Sequence, residues 1–262
     1  MVVTQPMLLL RWFSAGIAAL AFATPCAAGM EKEGHSTLPG VFFARLPPDD
    51  DVVLAHFEKA SHLRALVRHC DAGRDVFALR SGVTGKCKAD VIKSPSGDIV
   101  EVQLTVQGTF PQSDTAAYDV FSTSPPKTPR WTTRKISRDE QRALRATLAA
   151  DPKRFGAMKP HLKLSRAKLA HKPGASEAVI VVPGEVIDDP EAFYHEEKHQ
   201  VFVKRGGAYV HAGEVPGTPT GFVDAAGTGL PALLIETGCD GWCISLWGVS
   251  GGLRQLGSFG GH

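Results

Sequence analysis

Residues 178–257 constrain the fold more than any other stretch, because short β-rich runs alternate there with glycine-containing turns. The runs are Ala178 to Val182, Gln200 to Lys204, Ala208 to His211, Leu230 to Glu236, Trp242 to Trp247 and Leu253 to Ser258. Arg205, Gly206 and Gly207 form a turn between the second and third. Glycine adopts turn conformations closed to other residues, and β-branched and aromatic side chains suit a pleated surface. Such a string therefore predicts an antiparallel meander.

A second meander is expected upstream, from Asp75 to Leu79, Lys86 to Ile92 and Ile99 to Val106, with Ser94 to Asp98 as a turn. In the last of these, Val100, Val102, Leu104 and Val106 share one face and Glu101, Gln103 and Thr105 the other, so one side is buried and one is wet. Two helices are expected. The first starts at Pro47-Pro48-Asp49-Asp50-Asp51, whose carboxylates suit free N–H groups and the positive end of a helix dipole. It places Val53, Phe57, Ala60 and Val67 near one face and ends by Gly73. The second follows the capping-box pattern of Ser137 and Glu140, runs to about Ala150 with Leu144 and Leu148 inward, and stops at Pro152 and Gly156. The fold class is thus α+β, mainly antiparallel β-sheet in meanders with two helices. Roughly ten strands fall short of a complete propeller, which needs at least four four-stranded blades. Ser122 to Trp131 is rich in Ser, Pro and Thr, so 122–136 reads as a basic linker between a 29–121 part and a 137–262 part.

Residues 1–28 read as a secretory signal peptide. Arg11 is their only charge, Phe13 to Phe22 is apolar, and small residues surround a cut near Ala28. Alternatives are an uncleaved anchor starting at Met7 and a lipoprotein modified at Cys26. An exported chain, periplasmic or extracellular, then keeps Cys70, Cys87, Cys239 and Cys243, an even number that suggests disulfides. Three connectivities exist, and local pairing of Cys70 with Cys87 and Cys239 with Cys243 is expected. The second pair would present Trp242 on a tight loop or staple a strand end.

The net charge of +2 hides an asymmetry: Lys127 to Lys172 holds 14 Lys/Arg against three Asp/Glu. The remainder of the processed chain carries 14 basic and 24 acidic residues. The basic segment suits an acidic partner protein or an anionic envelope component, or it lies against the chain's own acidic surface. Trp131 is the only aromatic residue among the clustered basic residues up to Arg145, so base-stacking side chains are scarce and no nucleic acid is expected.

One string resembles catalytic chemistry. His195, Glu196 and His199 match H-E-x-x-H, which on a helix sets two imidazoles on one face to hold zinc while the glutamate acts on bound water. Asp189-Pro190-Glu191 would start such a helix. Against it, Gln200 to His211 reads as a hairpin, Glu197 and Lys198 are both charged, and no third ligand follows at a short spacing. On a strand, His195, Glu197 and His199 share a face instead, where an incidental, non-catalytic surface metal site is the alternative. No nucleophile elbow or phosphate-binding glycine loop appears.

Gly221 to Ile235 resembles the turn-plus-strand segment of FG-GAP/VCBS-type repeats, with Asp224, Gly227, Gly229, Pro231 and Leu233 matching. That resemblance implies a calcium-binding turn, but Ala226, Thr228 and Ala232 replace the expected carboxylates. A cation wanting six to eight oxygens finds one carboxylate, so no calcium is expected. The residues together point to an exported, non-enzymatic binding or structural protein without cofactor. Its alternatives are a zinc hydrolase at His195, Glu196 and His199, and an inhibitor- or immunity-type protein using 127–172.

Overall fold

The computed structural model describes residues 33–46, 52–110, 118–127, 130–175, 177–189, 194–225, 230–239 and 241–260. The expected signal peptide, Cys26 and residues 226–229 of the expected FG-GAP resemblance lie outside them. Among the described residues no helix is long and apolar enough to cross a membrane.

In chain order the elements are β1 (Glu33–Ser36), β2 (Val41–Arg45), β3 (Val53–Phe57), α1 (Ala60–Asp71), β4 (Asp75–Ala78), β5 (Thr84–Lys93) and β6 (Ile99–Gln107). There follow β7 (Tyr118–Ser122), β8 (Thr132–Lys135), α2 (Arg138–Ala150), α3 (Pro152–Phe155), two 3₁₀ turns at Lys159–His161 and Leu164–Arg166, and β9 (Lys168–His171). The chain ends with β10 (Glu177–Asp189), β11 (Tyr194–Arg205), β12 (Ala208–Val215), β13 (Thr218–Val223), β14 (Ala232–Cys239), β15 (Gly241–Gly248) and β16 (Arg254–Gly260). An 11-stranded sheet has the order β13-β14-β15-β16-β1-β3-β6-β5-β4-β7-β2, and a five-stranded sheet the order β12-β11-β10-β9-β8. Among the described residues every pairing is antiparallel except β1 with β3. The architecture is α+β with meander sheets and no closed barrel or propeller. The four-residue α3 adds to the two expected helices, because Pro152 opens a new turn, capped by the Asp151 side chain, instead of only stopping the old one.

One expected element is corrected. Val53 to Phe57 forms strand β3, not the first part of a helix, and α1 begins only at Ala60. Val53 and Leu54 pair with β6 while Leu54 to Phe57 pair with β1. Pairing on both edges plus near-complete burial of Val53 outweighs a helical spacing that local residues only permit. Gly73, at φ +60°, ends the helix as expected.

The second meander forms with the expected faces: Val102, Leu104 and Val106 are buried under α1, and the Ser94 N–H donates to the Asp98 carbonyl at 2.8 Å across the turn. The Cys70–Cys87 disulfide ties the end of α1 to β5.

The C-terminal half is stacked in layers. Helices α2 and α3 cover one face of the five-stranded sheet through Leu144, Leu148, Phe155 and Phe202. The opposite face, with Val179, Val181, Val201 and Val203, packs on Leu233, Ile235 and Val249. Strands β14 to β16 then turn Ala232, Leu234, Leu246 and Phe259 towards Phe43 and Tyr118 of β2 and β7. Residues 178–182 and 232–235 are therefore apolar without interruption because both of their faces are buried. Two glycines let β2 approach: a Cβ on Gly34 would sit 3.2 Å from Phe43 Cβ, and one on Gly257 would sit 2.9 Å from Phe43 Cε2.

Candidate functional site

The H-E-x-x-H string lies in β11, paired with β10 from Asp188 opposite His195 to Pro183 opposite His199. The helical geometry of that motif is therefore not present. Residues four apart on a strand are about 13 Å apart, at roughly 3.3 Å per residue. On a helix they are about 5–6 Å apart at Cβ. The side chains of His195 and Glu196 lie outside the described set. Among the described residues no group of three His, Cys, Asp or Glu side chains is arranged to hold a metal ion.

Strand alternation explains what stands there instead. Val203, Val201, His199 and Glu197 follow one another on the face turned to the larger sheet. The valines complete the interlayer core; the last two positions line a pocket of about 120 Å³ at its margin. Lys168, Val181 and Pro183 continue the floor, Arg166 closes one side, and Thr218, Pro219 and Phe222 of β13 form the roof. The turn into β13 depends on Gly217, at φ +74°, where a Cβ would meet the Glu236 carbonyl.

His199 is 4% exposed. Its Nδ1 donates to the Glu197 carbonyl at 2.9 Å, and Nε2 lies 3.7 Å from Glu197 Oε2. Burial lowers the imidazole pKa, against the raising pull of the Glu197 carbonyl, the Glu197 carboxylate and Gly217. Lys163 Nζ and Arg166 Nη1 each reach Glu197 Oε1 at 3.3 Å.

On the other face of β11 a directed relay forms. Arg154 Nη2 donates to His211 Nδ1 at 3.0 Å, which leaves the hydrogen on Nε2 to donate to Gln200 Oε1 at 2.8 Å. Gln200 Nε2 in turn donates to Glu214 Oε2. Burial and the adjacent Arg154 lower the pKa of His211, in keeping with this neutral tautomer.

The expected basic segment supplies a third feature. The capping box of α2 is complete, with Ser137 and Glu140 each accepting from the other's backbone N–H. Arg134 adds two bonds to Glu140 at 2.7 and 2.8 Å, and Lys204 a third at 3.2 Å. These donors hold the Glu140 carboxyl well below its ordinary value. The segment thus lies partly against the chain's own carboxylates: Lys163 and Arg166 reach Glu197, and Lys172 reaches Asp224 at 3.4 Å. The remainder faces outward. Arg138, Arg142 and Arg145 fall on one exposed stripe of α2, and Lys135, Lys153, Lys159 and Lys168 are also exposed. Apart from Arg142, which meets Asp139 at 3.3 Å, these have no carboxylate partner among the described residues.

Of the four expected cysteines, Cys70 and Cys87 are bridged to each other. Cys243 is also disulfide-bonded, and the side chain of its expected partner Cys239 lies outside the described set. The pocket's Glu197, Arg166, Lys168 and Thr218 are not recognised as site residues by motif reading. For Glu197 the sequence signal is period-2 continuation of the valine stripe into Glu197 and His199; Arg166, Lys168 and Thr218 carry none. No known protein family, curated protein or solved structure matches the chain.

Proposed function

We propose that this chain is an exported, non-enzymatic binding protein that docks an acidic partner on the basic outer face of α2 and α3. The observation that carries the reading is the exposed stripe of Arg138, Arg142 and Arg145, extended by Lys153 and Lys159. Surface cations of one sign raise association rates with an anionic partner, and do so less as salt rises. The same helix keeps its other face in the core through Leu144 and Leu148, so the stripe is free to act without disturbing the fold.

Binding to poly-L-glutamate, with vesicles of anionic phospholipid as the second arm, tests this. The R138E/R142E/R145E protein should lose binding while its unfolding midpoint stays nearly unchanged. Wild-type binding should weaken steadily between low and high salt. Binding indifferent to both salt and charge reversal would overturn the reading, and preference for vesicles would move the partner from acidic protein to envelope lipid. Export is tested by mass spectrometry of the native protein, which should begin near Gly29.

A further inference from the structure

We propose that the groove between α1 and the β5–β6 hairpin binds one medium-chain fatty acid, its alkyl tail on the hairpin and its carboxylate among the cations of the rim. The groove exists because the apolar face of the hairpin runs further than the cover over it. Cys87, Ala89 and Val91 alternate on one face of β5, opposite Val106, Leu104 and Val102 of β6. The row continues to Lys93 opposite Ile99. The Cys70–Cys87 disulfide holds the last turn of α1 against one end of this row. Further along, Ala89, Val91 and Ile99 are only partly buried. Helix α1 turns Arg64, Val67, Arg68 and Asp71 towards them, a stripe with the i, i+3, i+4, i+7 spacing of a single helix face.

Between that stripe and the hairpin lies an open trough of about 480 Å³, a volume in the range of small-molecule sites. Arginine stems commonly lie along apolar surface, but Arg64 and Arg68 are exposed and leave this volume open. Arg64, Arg68 and Lys93 stand against one carboxylate, Asp71, and none of the four forms an ion pair among the described residues. The trough is therefore positive at its rim and apolar along Val67, Ala89, Val91 and Ile99. A neutral apolar ligand leaves the cations unmatched, and a short anion leaves the apolar floor wet. An alkyl carboxylate answers both, because a guanidinium fork matches a carboxylate and each buried methylene is worth about a fourfold gain in affinity. At about 30 Å³ for a water-sized group, the trough holds on the order of 16 heavy atoms. Decanoate, with about twelve, fits. The inference goes beyond the docking proposed for α2 and α3 and uses none of its residues.

The experiment titrates the purified protein with decanoate, hexanoate and decyltrimethylammonium, each below its micelle-forming concentration, by calorimetry and ligand-observed NMR. Decanoate should bind at least about tenfold tighter than hexanoate, which lacks four methylenes, and at least about tenfold tighter than the cationic amphiphile. R64E/R68E, at two exposed positions, should reverse the preference between decanoate and decyltrimethylammonium while circular dichroism stays that of the wild type. Ala89→Phe, whose ring would occupy the trough, should weaken decanoate at least about tenfold without reversing that preference. Decyltrimethylammonium binding as tightly as decanoate, decanoate binding unaffected by both variants, or no decanoate binding below micelle formation would each overturn the proposal. An acidic amphipathic helical peptide that displaces decanoate and binds more tightly would overturn it in favour of a partner helix.

Discussion

Glu140 and Glu197 are two poorly exposed carboxylates served by the same kinds of groups, one arginine and one lysine each, yet they are held to very different degrees. Glu140 receives a bidentate guanidinium, a backbone N–H and an ammonium at 2.7 to 3.2 Å. Glu197 receives two single contacts at 3.3 Å, with an imidazole nitrogen at 3.7 Å. The first carboxylate has no accepting capacity to spare and fixes the start of α2 against β11 and the strand that precedes it. The second has fewer and longer contacts and lines the small pocket between the sheets. A saturated carboxylate holds a fold together; one with few, long contacts contributes little to it.

The largest effect should come from breaking the saturated site. Glu140→Gln removes the charge and one of the two oxygens that accept from four donors, and should cost about 3 kcal/mol, moderated because Arg134 is half exposed and regains water. Urea unfolding measures this, and a loss below about 0.5 kcal/mol would erase the contrast between the two sites. The acid limb sharpens it. Glu140 has a folded pKa below its ordinary 4.5, so its contribution is complete above that value and is lost as pH falls further. The Glu140→Gln protein should therefore lose less stability than wild type when pH is taken below 4.5.

Removing only the hydroxyl half of the capping box, by Ser137→Ala, should cost about 1 kcal/mol in the same assay. The histidines give a separate signature at higher pH. His199 and His211 both have lowered pKa values, so the unfolded chain binds protons first and stability falls as pH drops below 6.5. The double variant H199Q/H211Q should flatten the stability profile just below pH 6.5, where Glu140 is silent. An unchanged slope would show that both rings charge freely in the fold. The smallest effect is expected for Glu197→Gln, within about 0.5 kcal/mol, since its two cations are substantially exposed and its contacts long. A loss equal to that of Glu140→Gln would make the two carboxylates equivalent and remove the contrast between them.

Much of the local architecture was legible. The Ser137 and Glu140 capping box, the turn at Ser94 to Asp98 and the alternation of Val102, Leu104 and Val106 act within a few residues, so the string that encodes them also reveals them. Val53 to Phe57 was not legible, because its partners in β1 and β6 lie up to about 50 residues away and supply hydrogen bonds that no local spacing records. His195 to His199 illustrates the same point for chemistry. The letters suit a zinc helix, but β10 offers a partner edge across which His199 meets Pro183 and Glu197 meets Val186. A third of the pocket lining, Thr218, Pro219 and Phe222, arrives from another sheet and carries no local mark at all.

By itself the sequence determined a β-rich chain with a capped basic helix, a stabilising local cysteine pair and a strong segregation of charge, because periodicity, caps and composition depend on near neighbours. Only the tertiary structure decided that β16 closes onto β1, joining strands from both ends of the chain into one sheet. It also decided that the interlayer core gives way, beyond Val201, to His199 and Glu197 around a small space. Both outcomes are set by which surfaces meet across long loops, where buried area and hydrogen-bond pairing between distant segments outweigh any preference held by the segments alone.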